Sequence, residues 1–353
     1  MKKRMMKAAL AMILVLSMAL TLAGCGEKKE EKEYITVFTY GMYIDPDVLV
    51  SFTEETGIEV KYEEAPTPED LYTKYKAGAI QYDIVCTSDY MLQRLITEGE
   101  LQPINFDNLP NSKYISDFSW NFTKEFDPEA KYTLPYFWGT VGILYDTTQV
   151  NGPIDSWEVL FNGEYSGSII MQDSIRDSFM IGLKYLGYSL NSDNPDEYQE
   201  ALDLLIAQKP DVQAYFVDET RDEMVAGNAA LGIVYSGEAF LAAESNPNLA
   251  YCVPKEGSNV WLDSFGITKG CQNLSAAEKY LDYMCRPDIA LKNQEYIGYS
   301  TPNTAVLEEL GDDYRTSPLM PADEETENCE VYLMTPENIT ELMNELWKEL
   351  KAS

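Results

Sequence analysis

The chain has 353 residues, of which 59 are acidic and 26 basic, and it contains no histidine, so its formal net charge is −33. Nucleic-acid binding needs a basic face, and this acidic excess excludes it while favouring cationic ligands. The lack of histidine excludes Ser-His-Asp and Cys-His nucleophile systems and nearly all zinc catalysis, so a carboxylate pair is the remaining basis for an enzyme.

The N-terminal segment is predicted to be an export signal outside the fold. Residues 1–7 carry four positive charges, and the apolar run of 15 residues that follows is short for a membrane span. It ends in "LAGC" (22–25), which resembles the lipobox of bacterial lipoproteins and so implies cleavage before Cys25 and a diacylglyceryl thioether on that residue. We therefore predict a lipoprotein signal peptide over 1–24 and a lipidated, charged tether over 25–33; the alternative is an ordinary signal peptide with a chance cysteine.

The first third of the mature chain alternates between strands and helices. "YITVFTY" (34–40), "IEVKYE" (58–63) and "YDIVCTS" (82–88) have the pattern of strands. Between and after them we predict helices over 45–57, near 68–77 and from about Asp89 to Gly99. The first of these has Asp45 as a cap, Pro46 in its first turn and Gly57 at its end. This order is typical of parallel βαβ units.

A second α/β region follows "LPYFWGTVGILYD" (134–146). We predict helices at "SWEVLF", over 176–187 and over about 196–208, and strands at "GSIIM" and "ALGIVYSG" (230–237). The strand "VWLDSFGIT" (260–268) and further long helices then form a returning segment. The pattern predicts an α/β protein with two lobes, namely 34–138 with 266–304 and 139–265 with 305–353, and a ligand cleft between them.

Five cysteines remain after Cys25. They are far apart, odd in number and without a C-x-x-C pair, which predicts neither a disulfide framework nor a metal site, and no cofactor is indicated. We expect most of them to be small buried residues. They are Cys86, Cys252, Cys271, Cys285 and Cys329.

Seven stretches in the same order and with similar spacing resemble the spermidine/putrescine-binding proteins of bacterial ABC transporters. They include "FTEETGIEVKYE", "YTLPYFWGTVGILYD", "VPKEGSNVWLDSFGI" and "CRPDIALKNQEYIGYSTPN", and together they span essentially the whole mature chain. The resemblance implies the two-lobed periplasmic-binding-protein fold (type II), each lobe a mixed sheet flanked by helices with a hinge between them. It also implies a linear polyamine as ligand, whose methylenes suit aromatic faces and whose ammonium groups need carboxylates.

The clearest candidate contacts are Trp261 and Asp263, which fall on the family's Trp-x-Asp. Residues two apart on a strand share a face, roughly 6.6 Å from each other, so an indole and a carboxylate would lie on one surface. The resemblance implies that Trp261 lies along the ligand and that Asp263 pairs with an ammonium group. The alternative is a core tryptophan beside a capping or surface aspartate.

Further acidic contacts are implied in "IMQDSIRDSF" (170–179), where the family has two acids three residues apart. Ser174 and Asp177 hold those positions, so Asp177 is an expected amine partner and Asp173 a possible substitute for the missing acid. The alternative for both aspartates is capping of the helix that begins near Arg176.

The resemblance implies other contacts from both lobes. Tyr235 replaces a family tryptophan, Tyr299 matches a ligand-contacting tyrosine, and Ser88 and Tyr90 match a serine and a tyrosine of the first lobe. Asp89 is either a reserve ligand contact or the N-cap of the next helix.

The segment "TYGMY" (39–43) departs from the family. Tyr40 replaces a tryptophan and Tyr43 is retained, and both are expected contacts with core packing as the alternative. Gly41 and Met42 stand where the family has threonine and glutamate, so one ammonium partner of the family is missing at this position.

We therefore expect a polyamine-binding protein that is not an enzyme. It would be a monomer, lipid-anchored to the outer face of the cytoplasmic membrane, and would deliver its ligand to an ABC permease. Every site acid would be ionised, so affinity would fall only well below neutral pH. The alternatives are a binding protein for another cation such as a basic amino acid, a sensory protein without a permease, and an extracellular carboxylate-dependent hydrolase.

Overall fold

The computed structural model describes residues 33–317, 320–321 and 323–353 of the chain. The predicted signal peptide, Cys25 and all but the last residue of the predicted tether lie outside the described residues. Among the described residues, no helix combines the length and apolar character needed to cross a bilayer.

Thirteen α-helices and nine strands form the described part of the chain. The strands are β1 (Tyr34–Tyr40), β2 (Glu59–Ala65), β3 (Ile84–Thr87), β4 (Thr133–Asp146), β5 (Ile169–Gln172), β6 (Val212–Phe216), β7 (Leu231–Tyr235), β8 (Leu249–Cys252) and β9 (Val260–Ile267). The helices are α1 (Pro46–Thr56), α2 (Pro68–Ala77), α3 (Asp89–Thr97), α4 (Asp117–Phe126), α5 (Ile175–Tyr185), α6 (Pro195–Gln208), α7 (Glu219–Val225), α8 (Ser236–Ser245), α9 (Leu274–Met284), α10 (Pro287–Ile297), α11 (Thr304–Arg315), α12 (Asp323–Thr326) and α13 (Glu337–Ala352).

The predicted alternation is confirmed, and helix α1 shows the local reasons. The Asp45 carboxylate accepts from the Asp47 N–H, Pro46 opens the first turn, and Gly57 ends the helix in the left-handed region at φ 76°. The predicted helix at "SWEVLF" is wrong, since Trp157–Leu160 forms only a short 3-10 turn. Trp157 is completely buried there and donates from its indole to the Gly257 carbonyl, so tertiary packing fixes this segment.

The strands join into one sheet in the order β2-β1-β3-β9-β4-β7-β5-β6, with β8 also paired to β4. The long strand β4 serves both halves: residues 133–140 pair with β9, and residues 141–146 pair with β7 and β8. Strand β9 in turn runs antiparallel to both β3 and β4. The two α/β halves are therefore joined through β4 and β9.

Both faces of each half-sheet are covered by separate apolar clusters. In the first half Ile35 and Val37 pack on one side of β1, and Phe38 packs on the other. In the second half Ile143 and Leu144 divide in the same way on β4. Strands buried on both faces are typical of a sheet flanked by helices on each side.

Helix α11 packs against α10, which belongs to the first half of the molecule. The chain joins the second half later, where the Glu330 carboxylate accepts from Lys184 at 2.7 Å. The predicted lobe boundaries, 34–138 with 266–304 and 139–265 with 305–353, remain predictions.

Candidate functional site

A cleft of about 890 Å³ lies between the two halves of the sheet. Ten of the eleven residues predicted as ligand contacts line it: Tyr40, Tyr43, Ser88, Asp89, Tyr90, Asp177, Tyr235, Trp261, Asp263 and Tyr299. The chain thus brings together residues that are as many as 259 positions apart, from Tyr40 to Tyr299.

Asp173 is the exception, and the role of substitute for the family's missing acid does not fit its position in the structure. It precedes the N-cap of α5, and its carboxylate accepts from Lys351 of α13 at 2.8 Å, away from the cleft. Because that ion pair is exposed, it contributes little to stability.

Trp261 and Tyr299 form an aromatic wall of the cleft. Their rings meet edge to face, with centroids 4.9 Å apart and an interplanar angle of 82°. Two glycines make room for them: a Cβ at Gly139 would lie 2.4 Å from the indole Cζ2, and a Cβ at Gly237 would lie 2.3 Å from the Tyr299 Cε1. The backbone can therefore approach both rings closely only because no side chain is present there.

Asp263 lines the same cleft as Trp261, as the strand pattern predicts. It is 7% exposed, and its carboxylate accepts from the Tyr43 hydroxyl at 2.5 Å. Burial raises the pKa of Asp263 to about 6, against the opposing effect of the Tyr43 hydrogen bond. Tyr43 thus fixes the position of a carboxylate that is anionic at neutral pH.

Asp177 lies in the first turn of α5, where Ser174 is the N-cap. The Ser174 hydroxyl accepts from the Asp177 N–H at 3.4 Å, so the interpretation of Asp177 as the cap is wrong. Its carboxylate instead accepts from the hydroxyls of Tyr235 and Tyr332, each at 2.9 Å. The serine that replaces the family's first acid thus caps the helix and leaves the Asp177 side chain to the cleft.

Asp89 lies in the first turn of α3, one residue after the N-cap Ser88, so its expected capping role is also wrong. It is 1% exposed, and its oxygens accept one backbone N–H each, from Tyr90 at 2.7 Å and Leu262 at 3.3 Å. Burial raises the pKa of Asp89 to about 8, with a further contribution from the charge of Asp263. Burial thus opposes the ionised form of Asp89, which is the form that an ammonium partner needs.

The position of the family's missing acid lies outside the cleft. Met42 has φ 55° and is 75% exposed. Two acids that the sequence pattern did not single out line the cleft instead, Glu69 from the first turn of α2 and Asp218 before α7. Glu69 accepts from the Tyr90 hydroxyl at 2.9 Å.

The remaining lining residues that sequence reasoning missed include Arg176, Asn259 and Tyr332. The sequence pattern indicates Arg176 only as the approximate start of a helix, and Tyr332 lies in a C-terminal stretch without a clear motif. Within the described part of the chain, no group of acidic or cysteine side chains is arranged to hold a metal ion. The cleft offers five carboxylates, aromatic faces and hydroxyls, which suit a ligand that is cationic and partly apolar.

Comparisons with known proteins identify the family of this chain. A family model described as bacterial extracellular solute-binding protein matches residues 47–322. The spermidine/putrescine-binding periplasmic protein of Escherichia coli strain K12 is 33% identical over 312 residues, which cover 87% of this chain and 88% of that protein. The putrescine-binding periplasmic protein PotF of the same organism is 27% identical over 354 residues, which cover 95% of each chain.

A solved structure is also similar. It is the substrate-binding protein PotD of a spermidine/putrescine ABC transporter from Streptococcus pneumoniae, crystallised with calcium and HEPES. Its TM-score is 0.82 with 37% identity, and the match covers 91% of this chain and 99% of that chain. The prediction of a two-lobed type II periplasmic-binding-protein fold is thereby confirmed.

Proposed function

This chain belongs to the bacterial extracellular solute-binding proteins, and on that premise we propose that it captures a linear polyamine, spermidine or putrescine, between its two lobes. It then delivers the ligand to the permease of an ABC transporter. The relatives named above are polyamine-binding proteins by name, which supports this cargo.

The observation that carries the proposal is the meeting of carboxylates from both halves in one aromatic-lined cleft. Asp263, held by Tyr43, and Asp177, held by Tyr235 and Tyr332, offer anionic oxygens to ammonium groups. A buried ammonium group without such a partner would cost several kcal/mol. The aromatic wall of Trp261 and Tyr299 then takes the methylenes between the ammonium groups.

The N-terminal sequence supports the proposed location. A diacylglyceryl group on Cys25 would anchor the protein to the outer face of the cytoplasmic membrane, where two acyl chains suffice. The segment 26–33 would act as a tether to a monomeric binding unit near the permease. The proposed lobe closure uses the crossings in β4 and β9, because these strands belong to both halves of the sheet.

One observation favours a hydrolase as a second candidate. Burial raises the pKa of Asp89 to about 8 and that of Asp263 to about 6, and two acids of unequal pKa are one requirement of carboxylate-dependent hydrolysis. However, both oxygens of Asp89 are engaged by backbone N–H groups of the protein itself. We therefore propose binding without turnover, which is tested by recovering the ligand unchanged after prolonged incubation.

The experiment that tests the cargo is a thermal-shift panel of putrescine, cadaverine, spermidine, spermine and arginine. A ligand at 100 times its Kd stabilises the native state by about 2.7 kcal/mol. We expect putrescine or spermidine to raise the melting temperature most. A shift with arginine alone would indicate a basic amino acid as cargo, and no shift with any amine would overturn the proposal.

A further inference from the structure

Arg176 is an unexpected group in a cleft that is otherwise built for cations. Among the described residues lining the cleft it is the one basic side chain, against the carboxylates of Glu69, Asp89, Asp177, Asp218 and Asp263. Arginine remains protonated at all ordinary pH values. The guanidinium group would therefore repel an ammonium group of the ligand that came close to it.

The guanidinium group is held in a fixed position. Its Nη2 donates to the Leu333 carbonyl at 3.0 Å, and its central carbon lies 3.9 Å from the ring centroid of Tyr332 and 5.0 Å from that of Tyr90. These contacts are to a carbonyl and two rings, and among the described residues no carboxylate forms an ion pair with the guanidinium, although its charge lowers the pKa of Asp89. Tyr90 and Tyr332 present the faces on which this internal cation lies.

Arg176 also lies at a boundary. A second cavity of about 320 Å³ adjoins the cleft, and four residues line both spaces: Glu69, Tyr90, Ile175 and Arg176. Beyond this boundary the second cavity, which we call the side cavity, is lined by Met91, Met334 and Met343, whose flexible thioethers suit a methylene chain. Arg94 also lines the side cavity but is paired with Glu98 at 3.1 Å, so apart from the charge on Arg176 the side cavity could extend the site for a longer amine.

We propose that Arg176 sets the length of the polyamine that the cleft accepts. This inference rests on the proposed function. The fixed guanidinium ends the site where the cleft meets the side cavity, so the terminal ammonium group of the ligand must stop short of it. Spermine carries one aminopropyl arm more than spermidine, so we expect spermine to bring an ammonium group against the guanidinium and the two shorter amines to stop short of it.

The test is isothermal calorimetry of putrescine, spermidine and spermine with the full-length protein and its variants. Arg176→Gln removes the charge but keeps a long polar side chain, and we expect it to raise the spermine-to-putrescine affinity ratio at least tenfold. Arg176→Lys keeps the charge and should leave the order of the three amines unchanged. The matched control is Arg94→Gln, because Arg94 lines the side cavity but not the cleft and is already paired with Glu98 at 3.1 Å.

An equal spermine-to-putrescine affinity ratio in wild type and Arg176→Gln would overturn the proposal. The same increase of this ratio in Arg94→Gln would also overturn it, because it would indicate a general charge effect. A wild-type protein that binds none of the amines would instead refute the proposed function itself. Should Arg176→Gln fail to fold, the wild type still decides the matter with N1-acetylspermine, in which one terminal ammonium group is a neutral amide. We expect it to bind more tightly than spermine; weaker binding would contradict a charged end to the site.

Discussion

Replacing Asp263 by asparagine removes one negative charge from the cleft with almost no change in volume. The carboxylate is 7% exposed and accepts from the Tyr43 hydroxyl, a hydrogen bond that an amide oxygen can retain. The main loss is therefore the interaction with the ammonium group of the ligand. A hydrogen bond to a charged group contributes about 1.5–3 kcal/mol, which corresponds to roughly 10- to 150-fold in Kd.

The measurement is calorimetry of spermidine and putrescine binding at pH 8, above the pKa of about 6 for Asp263. Asp173→Asn is the matched control, because the same change is made at an exposed aspartate that pairs with Lys351 outside the cleft. Unchanged affinity in Asp263→Asn, or an equal loss in both variants, would refute the assignment of Asp263 as an ammonium partner.

Two further predictions concern protons and the aromatic wall. Because the pKa of Asp89 is about 8 in this structure and a bound ammonium group favours the ionised form, we expect binding at pH 7 to release protons and affinity to rise between about pH 6 and 8. Calorimetry in buffers of different ionisation enthalpy measures this release, and identical enthalpies in all buffers would contradict it. We also expect Gly139→Ala to displace the Trp261 indole, with about 1–3 kcal/mol of lost stability and weaker amine binding. Tryptophan fluorescence and melting curves check this against Gly41→Ala, whose new Cβ would approach its nearest atom only to 3.6 Å, and equal effects of the two changes would refute it.

Local sequence signals were sufficient to predict most of the helices and strands. Caps, prolines and left-handed glycines act within a few residues of where they stand, as Asp45, Pro46 and Gly57 do around α1. The prediction of a helix at Trp157 was wrong because the apolar residues of this segment are buried through distant contacts, such as the hydrogen bond from the indole to the Gly257 carbonyl. A short apolar stretch does not specify in sequence whether it packs as a helix or as a single turn.

The site was predictable where the family's pattern could be placed residue by residue. Asp173 and Asp177 differ in role because Ser174 is the N-cap, and a sequence places a helix start only to within a few residues. Glu69 and Asp218 were missed because a chain with 59 acidic residues offers too many similar candidates near helix starts. Only the three-dimensional path of α2 and of the segment before α7 distinguishes them.

The position of β9 in the sheet has a consequence for the order in which the molecule assembles. Strand β3 is complete at Thr87, yet its antiparallel neighbour is β9, and Tyr43 is separated from its partner Asp263 by 220 residues. Contacts so distant in sequence slow folding, because a long loop must close before they form. Strand β9, which joins β3 to β4, is complete only when Ile267 has been added to the chain. Strand β3 therefore lacks its antiparallel neighbour until most of the polypeptide has been synthesised.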